Sequence, residues 1–552
     1  MKRLTVLIFG TLAFASGQLD AQVLTEWVET RAPQETNKIA LGYPVPIPVD
    51  TPLPFDGFRT YAGLHTRHQD LAASTPWVHP EQIGLTRHGR TIWAYRLGDE
   101  DLLTIDGLPE SAALTNGGIH AREWQSPETV TGVMELFALH EDDNHFYDYL
   151  RDNVNMIVIP SLNIDGFMQT QRYPSLNYMQ SDPTYPNDYP RDGRMRRKNM
   201  LSADEDLYTT FDHLNGVDLN RNNAPFWASD PNRSSSDLAS IVHHGASRAS
   251  EPEIQAMDAA AHLGPIDRLR MFTDVHSFSL VHFWTRSNNY RLAVQTEAVL
   301  RTFTNHHVQF PAGKHYYYAG VNTTARNQGI GTTAEYFTYT YEVPSWTLEI
   351  EPSGGQAFHT PLPGAGADYG GLSENSHDGV ILPESEIRRV REELAQSFAA
   401  VYYRQAGPPS IQALRILDTE TLAVVYEAEW DVESNETRQL HTNRIQPLQL
   451  DRSYEFWLSF NKPMRWRADG QVVPFPGQPE SGLDVEIDVS VDNLDLNVVV
   501  AAGGWLNQPG EAPNGYLNYE DDAFKISFTL PLDTQNGDRV NGEAEASFTL
   551  RT

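Results

Sequence analysis

The chain has 552 residues, of which 40% are hydrophobic and 21% are charged, as in a folded globular protein. This length favours a large domain with a smaller second one over a single hydrophobic core. A formal charge of −32 argues against nucleic acid as a partner, because the phosphate groups would be repelled, and the lack of cysteine excludes disulfides and a lipidated N-terminal cysteine.

The N-terminal residues have the pattern of an export signal. Lys2 and Arg3 precede an apolar run over residues 4–15, and small residues follow, so we expect a signal peptide over residues 1–21. The apolar run is short for a membrane span and nothing later offers another, which predicts an exported protein, periplasmic or extracellular, with no transmembrane segment. Residues 22–57 form a Pro-rich lead-in that favours extended chain, either an inhibitory segment or a linker.

Residues 58–405 have the pattern of a mixed α/β domain. Apolar runs at 91–97 and 154–159 predict strands between helical stretches. Ser126 is expected to cap a helix, and residues 250–253 read as a capping box at the start of another. The last predicted helix spans residues 384–404 and ends before the breaker at 406–409.

The pattern changes after this breaker. Short alternating runs at 453–460, 483–491, 496–500 and 524–530 are separated by Gly, Pro, Asn and Asp clusters. This predicts a β-sandwich over residues 410–552, and the stretch that leads into residues 461–464 weakly resembles bacterial immunoglobulin-like domains. Packing, presentation of substrate and surface attachment all stay open as its role.

One spacing in the first domain suits a metal. His120 and Glu123 form an H-x-x-E pair just before a predicted helix, so both side chains can reach one ion. A catalytic zinc takes three protein ligands and keeps one position open, and His276, after the largely apolar run 269–275, is the candidate for the third ligand. Taken alone, each of these residues is also compatible with a structural role.

Several segments together resemble the carboxypeptidase A family of zinc metallocarboxypeptidases, in the order that the family has them. The resemblance covers about residues 58–405 and implies that family's fold, with Zn2+ bound by His120, Glu123 and His276. The six segments are GIHAREW at 118–124, NIDGF at 163–167, RMRRKN at 194–199, VDLNRN at 217–222, VHSF at 275–278 and TLE at 347–349.

The resemblance also implies a role for each matching residue. Glu349 would be the general base that activates water and later protonates the leaving amine. Arg197 would stabilise the oxyanion. Asn220 and Arg221 would bind the free carboxylate of a peptide's C-terminus, and Arg122 would line a more remote subsite.

The chain departs from the family pattern at several points. The tyrosine that covers bound substrate in the family has no match at the aligned position, although Tyr316, Tyr317 and Tyr318 lie upstream. Residues 173–191 look like an insertion. Arg286 would favour an acidic terminal residue of the substrate and Glu335 a basic one, which leaves the preference open.

Glu351 is the rival for the role of general base, since it lies two residues after Glu349 and, on a continuous strand, on the same face.

The sequence thus predicts an α/β zinc carboxypeptidase domain with a mixed sheet, followed by a C-terminal β-sandwich. The expected activity is removal of C-terminal residues from peptides by metal-activated water. Two alternatives use the same fold: a zinc amidase acting on cell-wall peptides or N-acyl amino acids, and a non-catalytic peptide-binding homologue. A third places the main function in the β-domain, as an adhesion or surface-attachment protein.

Overall fold

A computed structural model describes residues 58–551, which form two compact units; the second takes in the residues from 407 on together with 146–149 and 290–291. Up to residue 406, the chain is described except at 106, 140–145, 173–195, 206–211, 213, 265–267, 286–289, 309–329 and 352–383. From residue 407 on, it is described except at 409–410, 431–439, 447, 450, 461–466, 469–470, 473–483, 492–493, 497–498, 502, 506–522 and 531–543. The predicted signal peptide, the lead-in, the tyrosines at 316–318, Arg286 and the insertion at 173–191 lie outside the described residues.

The first unit is built on a seven-stranded mixed sheet with the order β1-β2-β4-β3-β5-β7-β6. Strands β4, β3, β5 and β7 are parallel to one another, while β1, β2 and β6 join through antiparallel pairs. The strands are β1 (Val78–Leu85), β2 (Thr91–Leu97), β3 (Ser111–Gly117), β4 (Val154–Ile159), β5 (Leu269–Ser277), β6 (Val281–Trp284) and β7 (Ser345–Ile350).

Of the helices up to residue 406, the first precedes β1, the last follows β7 and the others lie between strands in the chain. They are α1 (Tyr61–Ser74), α2 (Gln125–Leu139), α3 (Phe146–Arg151), α4 (Ile164–Arg172), α5 (Pro252–Ala260), α6 (Tyr290–Val308), α7 (Thr333–Tyr336) and α8 (Glu384–Gln405). Short helical segments also occur at Leu219–Arg221 and Phe337–Tyr341. All six residues of β4 are buried, as expected for a strand covered on both faces. This is the mixed α/β architecture predicted for residues 58–405.

Two predicted helix caps are wrong. Helix α2 begins at Gln125, so Ser126 lies inside its first turn, where the hydroxyl accepts from Gly118 N and donates to the carbonyl of Val275. Helix α5 has Glu251 at its N-cap and no side-chain cap bond, and the Ser250 hydroxyl donates to the Glu251 carboxylate instead. In both cases the serine hydroxyl makes a different hydrogen bond in place of the predicted cap.

The second unit consists of antiparallel strands, in keeping with the predicted β-rich fold. One sheet has seven strands, with the path β10-β9-β8-β11-β18-β16 and β17 paired to β18, and its buried core is formed mainly by β11 and β18. Its strands are β8 (Ile411–Asp418), β9 (Val424–Trp430), β10 (Leu440–Ile445), β11 (Arg452–Phe460), β16 (Val499–Val500), β17 (Gly504–Trp505) and β18 (Ala523–Leu530).

Smaller sheets complete the second unit. β14 (Asp484–Val491) pairs with β15 (Leu494–Leu496) and β19 (Ala544–Arg551), and β12 (Arg467–Ala468) pairs with β13 (Gln471–Val472). The single strand predicted at 496–500 is wrong, because β15 and β16 divide that run between two sheets.

Candidate metal centre and substrate site

The parallel strands bring the candidate ligands to one edge of the sheet. His120 and Glu123 lie in the turn that follows β3, and His276 is the penultimate residue of β5, the neighbouring strand. Gly118 starts this turn with a φ of +67°, a conformation that favours glycine. The Ser126 hydroxyl bridges Gly118 N to the carbonyl of Val275, so the turn is fastened to the strand that carries His276.

The three predicted ligands converge. Nδ1 of His120 lies 2.8 Å from Glu123 Oε1, Nδ1 of His276 lies 3.0 Å from Glu123 Oε2, and the two Nδ1 atoms are 3.0 Å apart. One ligand atom from each residue lies within 4.8 Å of the others, and all three side chains are buried. The structure therefore brings together residues that are far apart in the sequence.

Each of the two histidines contacts an aspartate through Nε2, the ring nitrogen that is not directed at the other candidate ligands. His120 Nε2 lies 3.2 Å from Asp218 Oδ1, and His276 Nε2 lies 3.0 Å from Asp274 Oδ2. A carboxylate at Nε2 keeps the proton on that nitrogen, which turns Nδ1 towards a metal. Neither aspartate was predicted from the sequence to have a role, although Asp274 is two residues before His276 and thus on the same side of the strand.

The two histidines differ in their electrostatics, since burial and Arg197 lower the pKa of His120. Burial would lower the pKa of His276, but the carboxylates of Asp274 and Glu123 outweigh it and raise that pKa well above its usual value. Burial would likewise raise the pKa of Glu123, yet His120 and His276 hold it below its usual range. The carboxylates of Glu123 and Asp274 thus favour the protonated form of His276.

These residues fit a zinc ion. Two imidazole nitrogens and one carboxylate form the donor set of a catalytic zinc site, which leaves a coordination position for substrate or water. The surplus of buried carboxylates would be balanced by a divalent cation. His120, Glu123 and His276 would hold the ion.

Glu349 and Glu351 have different surroundings. Glu349 is the register partner of His276 in the β5–β7 pair, and burial, together with Glu123, raises the pKa of its carboxyl to about 8. Glu351 lies beyond the end of β7, and its carboxylate binds Arg389 of α8 at 2.7 Å. The two carboxylates therefore do not serve one site, contrary to the expectation of a shared strand face.

Arg197 lies beside the first ligand. Its Nη1 is 3.1 Å from His120 Nδ1, and its Nε donates to Asp218 Oδ2 at 3.0 Å. The guanidinium is thus oriented by the same aspartate that binds His120, with 16% of the side chain exposed to solvent. A cation in this place can reach a substrate oxygen at the metal.

The predicted carboxylate-binding pair lies on the short helical segment Leu219–Arg221, next to the metal ligands. Asn220 is buried and its Nδ2 is 3.5 Å from His276 Nε2. Arg221 donates from Nε to the carbonyl of Arg233 at 3.0 Å and from Nη1 to the carbonyl of Asn220 at 2.7 Å. Arg122 lies between His120 and Glu123 in the chain and is half-buried.

Glu335 is buried in a structural position. Its carboxylate accepts the backbone N–H groups of Gly331 at 2.7 Å and Thr332 at 2.9 Å, and with Thr332 it forms the capping box of α7. This use of the carboxylate argues against the suggestion that Glu335 selects a basic terminal residue.

Comparisons with known proteins agree with this geometry. The family model described as zinc carboxypeptidase matches residues 65–397. Carboxypeptidase B of Astacus astacus is 32% identical over 114 residues, which cover 20% of this chain and 35% of that protein. Mast cell carboxypeptidase A of Rattus norvegicus is 27% identical over 235 residues, or 41% of this chain and 50% of that protein. The chain thus matches half or less of the length of these two relatives.

Among solved structures, carboxypeptidase A from Helicoverpa armigera is similar, with 20% identity, a TM-score of 0.45, and coverage of 70% of this chain and 80% of that one. Within the described part of the chain, no helix is long and apolar enough to cross a membrane.

Proposed function

Because the chain belongs to the zinc carboxypeptidase family, we propose that it is an active zinc-dependent exopeptidase that removes residues from the free C-terminus of peptides. The observation that carries the proposal is the position of Asp218. Its Oδ1 binds His120 Nε2 and, at 3.1 Å, the backbone N–H of Asn220, while its Oδ2 binds Arg197. One buried carboxylate thus orients a metal ligand, the proposed oxyanion group and the proposed carboxylate-binding segment.

When bound, zinc would supply a Lewis acid that polarises the scissile carbonyl and makes water a stronger nucleophile. Glu349 would accept the proton of the attacking water and pass it to the leaving amine, a task suited to a carboxyl whose pKa burial raises to about 8. Glu351 is engaged by Arg389, which supports Glu349 as the base. Arg197 would stabilise the negative oxygen of the tetrahedral intermediate, and its bond to Asp218 keeps it aimed.

The preference for a free C-terminus would come from Asn220 and Arg221. The planar guanidinium of Arg221 can donate two parallel hydrogen bonds to a carboxylate, and Asn220 supplies an amide donor beside His276. Arg122 would contribute to a subsite further from the reacting bond. With the predicted signal peptide, the enzyme would be exported, periplasmic or extracellular, and its partners would be peptide or protein substrates.

Two peptides that differ only in a C-terminal amide test the exopeptidase proposal. We expect the wild type to cut the free peptide and to leave the amidated peptide intact. Arg221→Gln should raise KM for the free peptide by about tenfold to a hundredfold, because a charge-assisted hydrogen bond to the substrate carboxylate is lost. The matched control is Arg233→Gln on the same loop, whose side chain is 52% exposed and pairs with Asp230. It should leave KM unchanged.

The two alternatives predict other results. A zinc amidase of the same fold would cut the blocked peptide as well as the free one, and Arg221→Gln would leave both rates unchanged. A non-catalytic peptide-binding protein would bind zinc and the free peptide without cutting either one.

A further inference from the structure

Asp274, the partner of His276, is fully buried and has three side-chain contacts. Besides His276 at 3.0 Å, it accepts from Asn116 Nδ2 at 2.7 Å through Oδ1 and from the Thr333 hydroxyl at 2.6 Å through Oδ2. These groups come from β3, β5 and α7, which are distant in the sequence. A buried carboxylate is costly unless it is paired and hydrogen-bonded, so its surroundings fix it in one orientation.

The hydrogen bonding of Asn116 shows that the orientation of the Asp274 carboxylate is maintained at a cost. Its amide nitrogen serves Asp274, whereas its Oδ1 has no hydrogen-bond partner among the described residues, although the side chain is fully buried. If the Asn116 amide were rotated by 180°, its Oδ1 would face the Asp274 carboxylate and the two oxygens would repel each other. The chain therefore tolerates a buried acceptor without a partner in order to donate to Asp274.

Thr333 has two separate contacts towards the site. Its hydroxyl has one proton, and the 2.6 Å contact assigns that proton to Asp274 in preference to Asn220 Oδ1 at 3.4 Å. Its backbone N–H donates to Asn220 Oδ1 at 3.0 Å, which directs the Nδ2 donors of Asn220 towards His276. The hydroxyl thus acts on the metal ligand, and the amide N–H acts on the substrate-binding side chain.

We propose that Thr333 and Asn116 are positioning residues that hold Asp274 against His276 Nε2 and thereby set the affinity of the site for zinc. The proposal rests on the zinc-dependent function proposed above. Outer partners of metal-bound histidines typically contribute about tenfold to a hundredfold to metal affinity. Thr333→Val deletes the hydroxyl and keeps the shape and the backbone N–H, so it separates the two contacts.

The test is the zinc dissociation constant of the full chain, measured by competition with a chromophoric chelator. We expect Thr333→Val to weaken zinc binding by about tenfold and Asp274→Asn by more, while Thr333→Ser, which keeps the hydroxyl, restores wild-type affinity. When Asp274 is already replaced by asparagine, adding Thr333→Val should change the zinc affinity little, because Thr333 acts on His276 only through Asp274. The visible spectrum of the Co2+ form should change in Thr333→Val, since the orientation of His276 alters the ligand field.

Thr273→Val is the matched control. Thr273 is the neighbour of Asp274 on β5, fully buried, and its hydroxyl has no hydrogen-bond partner among the described residues. It should bind zinc like the wild type.

Wild-type zinc affinity in Thr333→Val would overturn the proposal even if Asp274→Asn bound zinc more weakly, as would failure of the wild type to bind zinc. A wild type that binds zinc but cuts no peptide would contradict the exopeptidase function alone, because metal affinity is measured without any hydrolysis.

Discussion

Glu349 and His276 are register partners on the parallel strands β7 and β5, so the proposed general base and a candidate metal ligand lie side by side near the carboxyl ends of these strands. Strand pairing alone places Glu349 near the candidate metal centre, so this position does not depend on a hydrogen bond from Glu349 to one of the ligands. Register between parallel strands is set by the whole pair, which makes this position robust to changes in the surrounding loops.

We predict that Glu349→Gln lowers kcat by about 10²- to 10⁴-fold, the usual contribution of a general base. The amide has nearly the same shape but cannot accept the proton of water. Zinc content, measured by elemental analysis, should stay at the wild-type level, because Glu349 is not among the converging ligands. Glu351→Gln is the control: it weakens the ion pair with Arg389 and should lower stability but not kcat. An active Glu349→Gln would refute the assignment.

A second prediction concerns Arg197. Arg197→Gln should lower kcat by about 10²- to 10³-fold with a smaller change in KM, because an oxyanion contact is stronger in the transition state than in the bound substrate. Steady-state kinetics on a short free peptide measure both constants. A rise in KM at unchanged kcat would mean that Arg197 binds substrate and does not stabilise the transition state.

A third prediction is sensitivity to acid through a buried ion cluster. Glu128 accepts the backbone N–H of Arg59 at 2.9 Å and Arg391 Nη1 at 2.9 Å. Burial alone would raise the pKa of Glu128, but the charges of Arg59 and Arg391 hold it below its usual value of 4.5. The pairing therefore stabilises the fold at neutral pH, and its contribution is lost as the pH falls below 4.5 towards the folded-state pKa.

Urea unfolding of the wild type and of Glu128→Gln measures this contribution. We expect the variant to be about 3–5 kcal/mol less stable at neutral pH, because two buried arginines lose a partner. The difference between the two proteins should shrink as the pH is lowered through the range below 4.5. A difference that stays constant with pH would contradict the account.

A fourth prediction concerns the packing of helices α2 and α8. A Cβ on Gly132 would overlap Arg391 Cγ and lie 3.1 Å from the carbonyl oxygen of Arg391. Arg391 is held by Glu128 at 2.9 Å, so it cannot easily move away. We expect Gly132→Ala to destabilise the chain by about 1–3 kcal/mol through overpacking. This exceeds the roughly 1 kcal/mol by which alanine favours a helix.

Thermal unfolding of the first unit checks this prediction. Equal or higher stability of Gly132→Ala would show that α8 can shift at little cost.

Local patterns were sufficient to predict many elements. The strands expected at 91–97 and 154–159 have those bounds, and the helix expected at 384–404 is one residue longer. These segments have apolar periodicity or strong terminating residues of their own. The caps at Ser126 and Ser250 were predicted wrongly because each hydroxyl bonds elsewhere, to Val275 and Glu251 respectively. Such competition depends on where the chain folds back, which a local pattern does not contain.

The residues of the site likewise divide into those with a local sequence pattern and those that depend on long-range contacts. His120 and Glu123 could be predicted from their spacing and His276 from its place after an apolar run, and the family resemblance supported all three. Asn116 and Thr333, the partners of Asp274, were missed because they reach it across 158 and 59 residues. Asparagine and threonine are common at strand ends and helix starts, so nothing in their local sequence distinguishes these two.

The central claim is that the chain is a zinc-dependent carboxypeptidase, and removal and return of the metal test it most directly. The measurement is the release of the C-terminal amino acid from a free peptide by the purified chain, after treatment with a chelator and then with added zinc. We predict that the chelated protein is inactive and that one equivalent of zinc restores the activity. Hydrolysis that persists without metal, or one bound zinc without any release of amino acid, would contradict the claim.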